Sequence, residues 1–335
     1  MNFYTLSQRS SAQQAVGKPR ITHRGRRIFW EPVCSLLMLC TSGMFLYAGE
    51  TKEASKIPPP KDIDLETRDG MILKATYYPS TLGKEALAVL MLHDFEGSRM
   101  DFAPLALELQ RVGHAVLTLD LRGHGESTSS KGSNRQLSAS QLTTQDFRLM
   151  VAEDIERAKR FLLEQNNQGA LNIEKLCVIG AGMGATLAME WALLDWNWPQ
   201  LPTHKQGRDV KALVLISPEF TFRGLSGANL FKNPEAARRI SALIIFGDGK
   251  PKAAQDAKRI HGMFERLRPK TVEKPEQRDL FFIPQKTNLQ GTKLLDEKNL
   301  RAFKIDQMVF HFLRLRLAEQ SYSWTDRRSP LEKTP

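Results

Sequence analysis

The residues of this 335-residue chain whose types and spacing could do chemistry stand just after short apolar runs. Gly180-Ala181-Gly182-Met183-Gly184 lies between the run "KLCVIG" and the helix-forming stretch "GATLAMEWALL". Glycines in such a place let backbone amides gather at a helix amino terminus, which favours an anion or a carbonyl oxygen. A glycine-rich phosphate loop is one reading, although the G-x-G-x-x-G spacing of a dinucleotide fingerprint is missing; a plain turn from strand to helix is another. His93 and Asp94 close the run "ALAVLMLHD", with Phe95, Glu96 and Ser98 behind them, and Asp120 and Ser127 follow the next run. Ser217 ends "VKALVLIS", Asp248 and Lys250 follow "SALIIFG", and Gln290 follows "DLFFIP". A hydroxyl, an imidazole and a carboxylate brought together from these positions could run nucleophilic acyl transfer, whereas the amides alone could only bind.

The elements that must position these residues read as strands alternating with amphipathic helices. "IDLETRDGMILKATYYP" predicts a hairpin turning at Asp69-Gly70. The strands after it, at 86–94, 114–121, 175–180, 210–217, 241–247 and 279–284, are nearly continuous apolar runs, as expected where helices cover both faces of a sheet. Helical patterns separate them, including "TTQDFRLMVAEDIERAKRFLLEQ" and a closing "KNLRAFKIDQMVFHFLRLRLAEQ". This alternation predicts an α/β fold with a mostly parallel central sheet, right-handed crossovers and a ligand site beyond the carboxyl ends of the strands.

The strand order and three strand-end motifs together resemble the alpha/beta-hydrolase superfamily, in particular its small serine-hydrolase and dienelactone-hydrolase-like members. The resemblance runs from about Ile63 to Gln320, and its most specific piece is "LTLDLRGHGES", similar to the turn after the family's fourth strand. It implies an alpha/beta-hydrolase fold; the connection from Ser217 to Ser241 leaves no room for a large cap domain. It also implies that 180–184 is the frame of the nucleophile elbow, G-x-S-x-G, in which the serine position is Gly182. The family acid falls at Lys250, with Asp248 two residues early as a possible substitute, and the family histidine falls at Gln290. No histidine occurs between His261 and His311, where a base after the last strand would have to lie. The resemblance therefore implies a degenerate triad, with the oxyanion-type amides of Phe95 and Met183 retained as a cradle for a small acyl or anionic ligand. His93, Asp94 and Ser217 are expected at its rim, with Asp94 standing where a glycine is common in the family. His93 pairing with Ser98 or Ser217, backed by Asp94, Glu96 or Asp120, stays open as a relocated catalytic set.

Composition narrows the rest. The net charge of +11 is concentrated in residues 1–30, where Arg9, Lys18, Arg20, Arg24, Arg26 and Arg27 face no acidic residue. The remaining charge is mixed along the chain, which argues against a nucleic-acid partner. Arg26-Arg27 precede an apolar stretch from Val33 to Ala48, so residues 1–49 read as an export signal or a single anchor, short against the roughly 20 residues of a comfortable span. Any membrane contact is expected through that leader alone. Residues 50–62 read as a Lys- and Pro-rich linker, 63–320 as the folded domain and 321–335 as a disordered tail. Cys34 and Cys40 sit in the leader and Cys177 in an apolar strand, which leaves no cysteine cluster for a metal; no cofactor is expected. Trp191, Trp196 and Trp198 could face a partner or pack on the sheet. The expected protein is exported and either binds without catalysis, works as an esterase, lactonase or peptidase through a relocated set, or serves a purely structural role in the cell envelope.

Overall fold

The computed structural model describes residues 57–132, 136–269 and 277–328, so the leader and most of the linker lie outside the described residues. The first two strands, β1 (Lys61–Glu66) and β2 (Ile72–Tyr78), form the antiparallel hairpin about Asp69-Gly70. Then come β3 (Leu87–Leu92), α1 (Ala103–Arg111), β4 (Ala115–Leu119), α2 (Thr144–Leu149) and α3 (Ile155–Asn167). They are followed by β5 (Asn172–Ala181), α4 (Met183–Asn197), β6 (Val210–Ile216), β7 (Thr221–Phe222), β8 (Leu225–Ser226) and α5 (Pro234–Arg239). The chain finishes with β9 (Ser241–Gly247), α6 (Pro251–Glu265), β10 (Leu280–Gln285), α7 (Glu297–Ala302) and α8 (Ile305–Leu313).

Eight strands make one sheet in the order β1-β2-β4-β3-β5-β6-β9-β10, antiparallel only where β2 meets β1 and β4. The apolar runs alternate between two cores. Leu90 and Leu92 of β3 pack with Leu162, Leu187, Ile260 and Phe264 on one face, while Val89 and Met91 pack with Leu105, Leu109, Val309 and Phe312 on the other. Both faces being dry is why strand polarity shows no period of two in the sequence. Helix α4 is apolar all round and almost wholly buried, so it has no solvent face to betray it as a surface helix. Between β6 and β9 there are only the small β7–β8 hairpin, a short 3-10 helix at Gly227–Lys232 and α5, so there is no large cap. None of the helices among the described residues is long and apolar enough to cross a membrane.

Three local expectations are corrected. The helix expected over 143–165 is interrupted by a wide π turn at Met150–Asp154, which sets Asp154, fully buried, against the Arg122 guanidinium at 2.6 Å. The closing helix breaks at Lys304, whose left-handed φ of 54° separates α7 from α8. Residues 321–328, expected to be disordered, lie along the body: the Trp324 indole donates to the Asn166 carbonyl at 3.1 Å and Arg327 pairs with buried Asp209 at 2.7 Å. The tryptophans of α4 pack inward, Trp191 donating to Glu156 and Trp196 to the Val210 carbonyl.

Candidate functional site

The carboxyl ends of β3, β5, β6, β9 and β10 converge on a pocket of about 280 Å³. Its wall includes Asp94, Gly182, Ser217, Glu219, Lys250, Lys252, Asp256 and Gln290. Gly182 caps α4 with φ 51° and ψ −116°, a backbone conformation that side chains rarely tolerate. The elbow frame is closed as tightly as its sequence predicts. A Cβ on Gly184 would run into the carbonyl of Leu92, and one on Gly180 into that of Gly184, so β3, β5 and α4 meet backbone to backbone.

The cradle is present but already filled. The amides of Phe95 and Met183 both donate to Oδ1 of Asp94, at 2.8 and 2.9 Å. Expected at the rim, Asp94 instead occupies the centre, and the two donors expected to meet a small acyl or anionic ligand are spent on the chain's own carboxylate. The absent side chain at 182 is what makes this possible, since a Cβ on Gly182 would lie 2.0 Å from Asp94 Oδ1. Gly291 gives way similarly beside Asp94 Oδ2. Burial raises the Asp94 carboxyl above the ordinary range, Asp101 adding to the rise, while the two amides and the Lys293 charge pull it back. Phe95 is itself fixed: its ring packs on Phe222 at 5.5 Å between centroids, and the Arg223 guanidinium covers it at 4.4 Å.

The remaining strand-end residues sort cleanly. Lys250 lines the pocket and is exposed at the start of α6; Asp248 is exposed and outside the pocket lining. Gln290 donates from Nε2 to the Gly247 carbonyl at 2.7 Å, and its Oε1 is buried without a partner. Ser217, 5% exposed and held at φ 47°, has a hydroxyl that is buried and likewise unpartnered. His93 is wholly buried and uses both ring nitrogens on backbone: Nδ1 donates to the Asp94 carbonyl at 2.7 Å and Nε2 accepts from the Leu121 amide at 3.1 Å. Burial depresses its pKa, and it has no free nitrogen to take a proton from a serine.

The relocated set is therefore not brought together. The Ser98 amide donates to Asp101, opening the short turn before α1, and Ser127 donates to the Asp120 carbonyl at 2.7 Å. Asp120 receives the amides of Arg99 and Glu126 and the Arg99 guanidinium, so it pins a turn; Glu96 is exposed. His124 donates from Nδ1 to the Arg122 carbonyl, and Nε2 is buried without a partner. His261 packs on Phe282 along α6, and His311 lies exposed on α8. Among the described residues no cluster of three His, Cys, Asp or Glu side chains is arranged to hold a metal, and Cys177 is a buried thiol whose pKa burial pushes up.

Sequence reasoning missed Glu219, Lys252 and Asp256, which come from the segment after β6 and the first two turns of α6. It also missed the position of Asp94, although an aspartate where the family commonly has glycine, together with a glycine where it has serine, was a visible pair of exchanges. Known proteins bear on the fold. The alpha/beta hydrolase fold family matches residues 88–292. An uncharacterized protein of Mycobacterium tuberculosis is 31% identical over 142 residues, which takes in 38% of this chain and 50% of that protein, so the chain spans about half the length of the curated relatives it matches. A Pyrococcus furiosus esterase superposes with a TM-score of 0.51 at 15% identity, covering 77% of this chain and 92% of the esterase. A dienelactone hydrolase from Anabaena variabilis gives 0.52 at 15% identity, covering 78% of this chain and 100% of its own.

Proposed function

Because the chain belongs to the alpha/beta-hydrolase family and its resemblance to the family's serine hydrolases sets Gly182, Lys250 and Gln290 at the serine, acid and histidine positions, we propose that it is a non-catalytic member that acts by binding. One observation carries this reading: a single carboxylate oxygen, Asp94 Oδ1, takes both oxyanion-type amides in the space that Gly182 leaves open. Acyl transfer needs a nucleophile, a base and a donor pair free to receive the developing negative charge. Here the nucleophile position has no side chain, both ring nitrogens of His93 are committed to backbone, and the donor pair faces a negative charge already in place. Two buried polar atoms without partners, Ser217 Oγ and Gln290 Oε1, belong to residues that line the pocket of about 280 Å³ and support small-molecule binding over a purely architectural role. The basic and apolar leader adds the reading that the domain works outside the cytoplasm, attached or released.

The test is turnover of short-chain p-nitrophenyl esters and labelling by a fluorophosphonate with the full chain. The expected result is no saturable turnover above an acid-denatured control and no labelled serine. Ester hydrolysis with a hyperbolic dependence on substrate, or a fluorophosphonate adduct on any serine, would overturn the reading and identify the working nucleophile.

A further inference from the structure

With the amides spent, what the pocket wall offers a ligand has changed sign. Both donors converge on Asp94 Oδ1, which leaves Oδ2 to accept. The Gly247 carbonyl accepts from Gln290, so the nitrogen of that amide must face it, and the oxygen left over is a buried acceptor with no partner. Ser217, a residue 5% exposed in the wall of the same pocket, adds a buried and unpartnered hydroxyl. Glu219 and Asp256 bring further carboxylates; Lys252 is drawn to Asp256 at 3.4 Å, and exposed Lys250 stands at the mouth. Buried polar atoms without partners cost free energy, and one ligand group rich in donors could satisfy several at once.

We propose that this pocket recognises a small molecule through a primary ammonium group, with Asp94 as counter-charge and Ser217 and Gln290 as additional acceptors. The inference rests on the non-catalytic reading and names the ligand class of that same site. An ammonium has three donors and no acceptor, matching the acceptors of Asp94, Ser217 and Gln290; a carboxylate would meet Asp94 at close range with no free amide to hold it. The exchange of Ser for Gly and Gly for Asp would then have converted a site built for negative charge into one built for positive charge.

The probes are n-butylammonium and butyrate, equal in carbon count and opposite in charge, titrated onto the full chain by ligand-observed saturation-transfer NMR. Butylammonium is expected to saturate on the natural protein and to lose at least tenfold in affinity in Asp94→Asn, which keeps the shape and removes the charge. Butyrate is expected to bind the natural protein more weakly than butylammonium and to gain at least tenfold in Asp94→Ala, where the amides of Phe95 and Met183 are freed. Thermal unfolding midpoints establish that each variant is folded; should either Asp94 variant fail to fold, Ser217→Ala replaces it and is expected to weaken butylammonium severalfold. Butyrate binding as tightly as butylammonium, butylammonium indifferent to all of these changes, or neither probe binding would overturn the proposal. Each of these outcomes is separate from ester turnover, so a failed ligand class is distinguishable from a failed non-catalytic reading.

Discussion

A serine cannot simply be restored at Gly182. The position combines a positive φ with a site already taken by Asp94, so a new side chain meets both backbone strain and overlap with the carboxylate. Strain of that kind costs about 1–3 kcal/mol and overpacking a similar amount, so Gly182→Ser is expected to destabilise the fold by about 2–4 kcal/mol in urea unfolding. Adding Asp94→Gly should return about 1–2 kcal/mol of that loss, because the two residues compete for one space. Strictly additive effects in the double-mutant cycle would show that the two positions are independent and would remove the size-exchange argument. The residue scale is also where sequence reading stopped short. Each exchange was legible alone, but that they compensate depends on β3 and the elbow lying side by side, which spacing in the chain does not reveal.

Elements were legible wherever apolar runs had to be buried. The strand from Ser241 to Gly247 matches the reading residue for residue, and the others agree within a few residues at their ends. The segment at 321–328 was not legible, because "SYSWTDRR" has no apolar periodicity and is held by charge from distant places. Arg327, with a side chain 3% exposed, reaches Asp209 at 2.7 Å and Glu174 at 2.8 Å, and donates to the Lys205 carbonyl. Asp209 is fully buried and would otherwise share its site with Asp195 under the charges of Lys159 and Lys205; these cations and Arg327 hold its carboxyl below the usual range against the opposing effect of burial. Removing one partner of a buried pair leaves the other uncompensated, which costs about 3–5 kcal/mol. Arg327→Ala, or truncation after Gln320, is therefore expected to lower the unfolding free energy by about 3–5 kcal/mol in urea. Arg328→Ala, whose side chain is half-exposed and pairs with Asp326, should leave the midpoint where it is. Equal effects of the two substitutions would mean that the segment does not clamp the domain.

For the molecule as a whole, the burial of its histidines should show in its pH dependence. His93 and His124 are buried and His114 is half-buried, and burial lowers each pKa, that of His114 and of His124 to about 4. The cause is clearest at His124: protonation would add an N–H at Nε2, where no acceptor waits. A base depressed in the folded state binds fewer protons than in the unfolded chain, so its stabilising effect is complete above the unfolded value near 6.5 and is lost as pH falls toward 4. Each such histidine contributes a slope of about 1.4 kcal/mol per pH unit inside that window. The raised carboxylates work the other way: Asp195, lifted by burial and by the neighbouring Asp209 to about 6, takes up a proton in the folded state first and offsets one histidine below that pH. Asp94, Asp154 and Glu219, also raised by burial, add to the offset as the pH approaches the carboxylate range. The urea midpoint is therefore expected to fall from pH 7 to pH 5.5, steepest just below 6.5 and flattening as the carboxylates protonate. His124→Asn, which keeps a donor for the Arg122 carbonyl and cannot titrate, should reduce the steep part by about one proton's worth, roughly 1.4 kcal/mol per pH unit. A midpoint that holds or rises between pH 7 and 6 would mean that these rings reach solvent in the folded protein, and with them the water that a hydrolytic site requires.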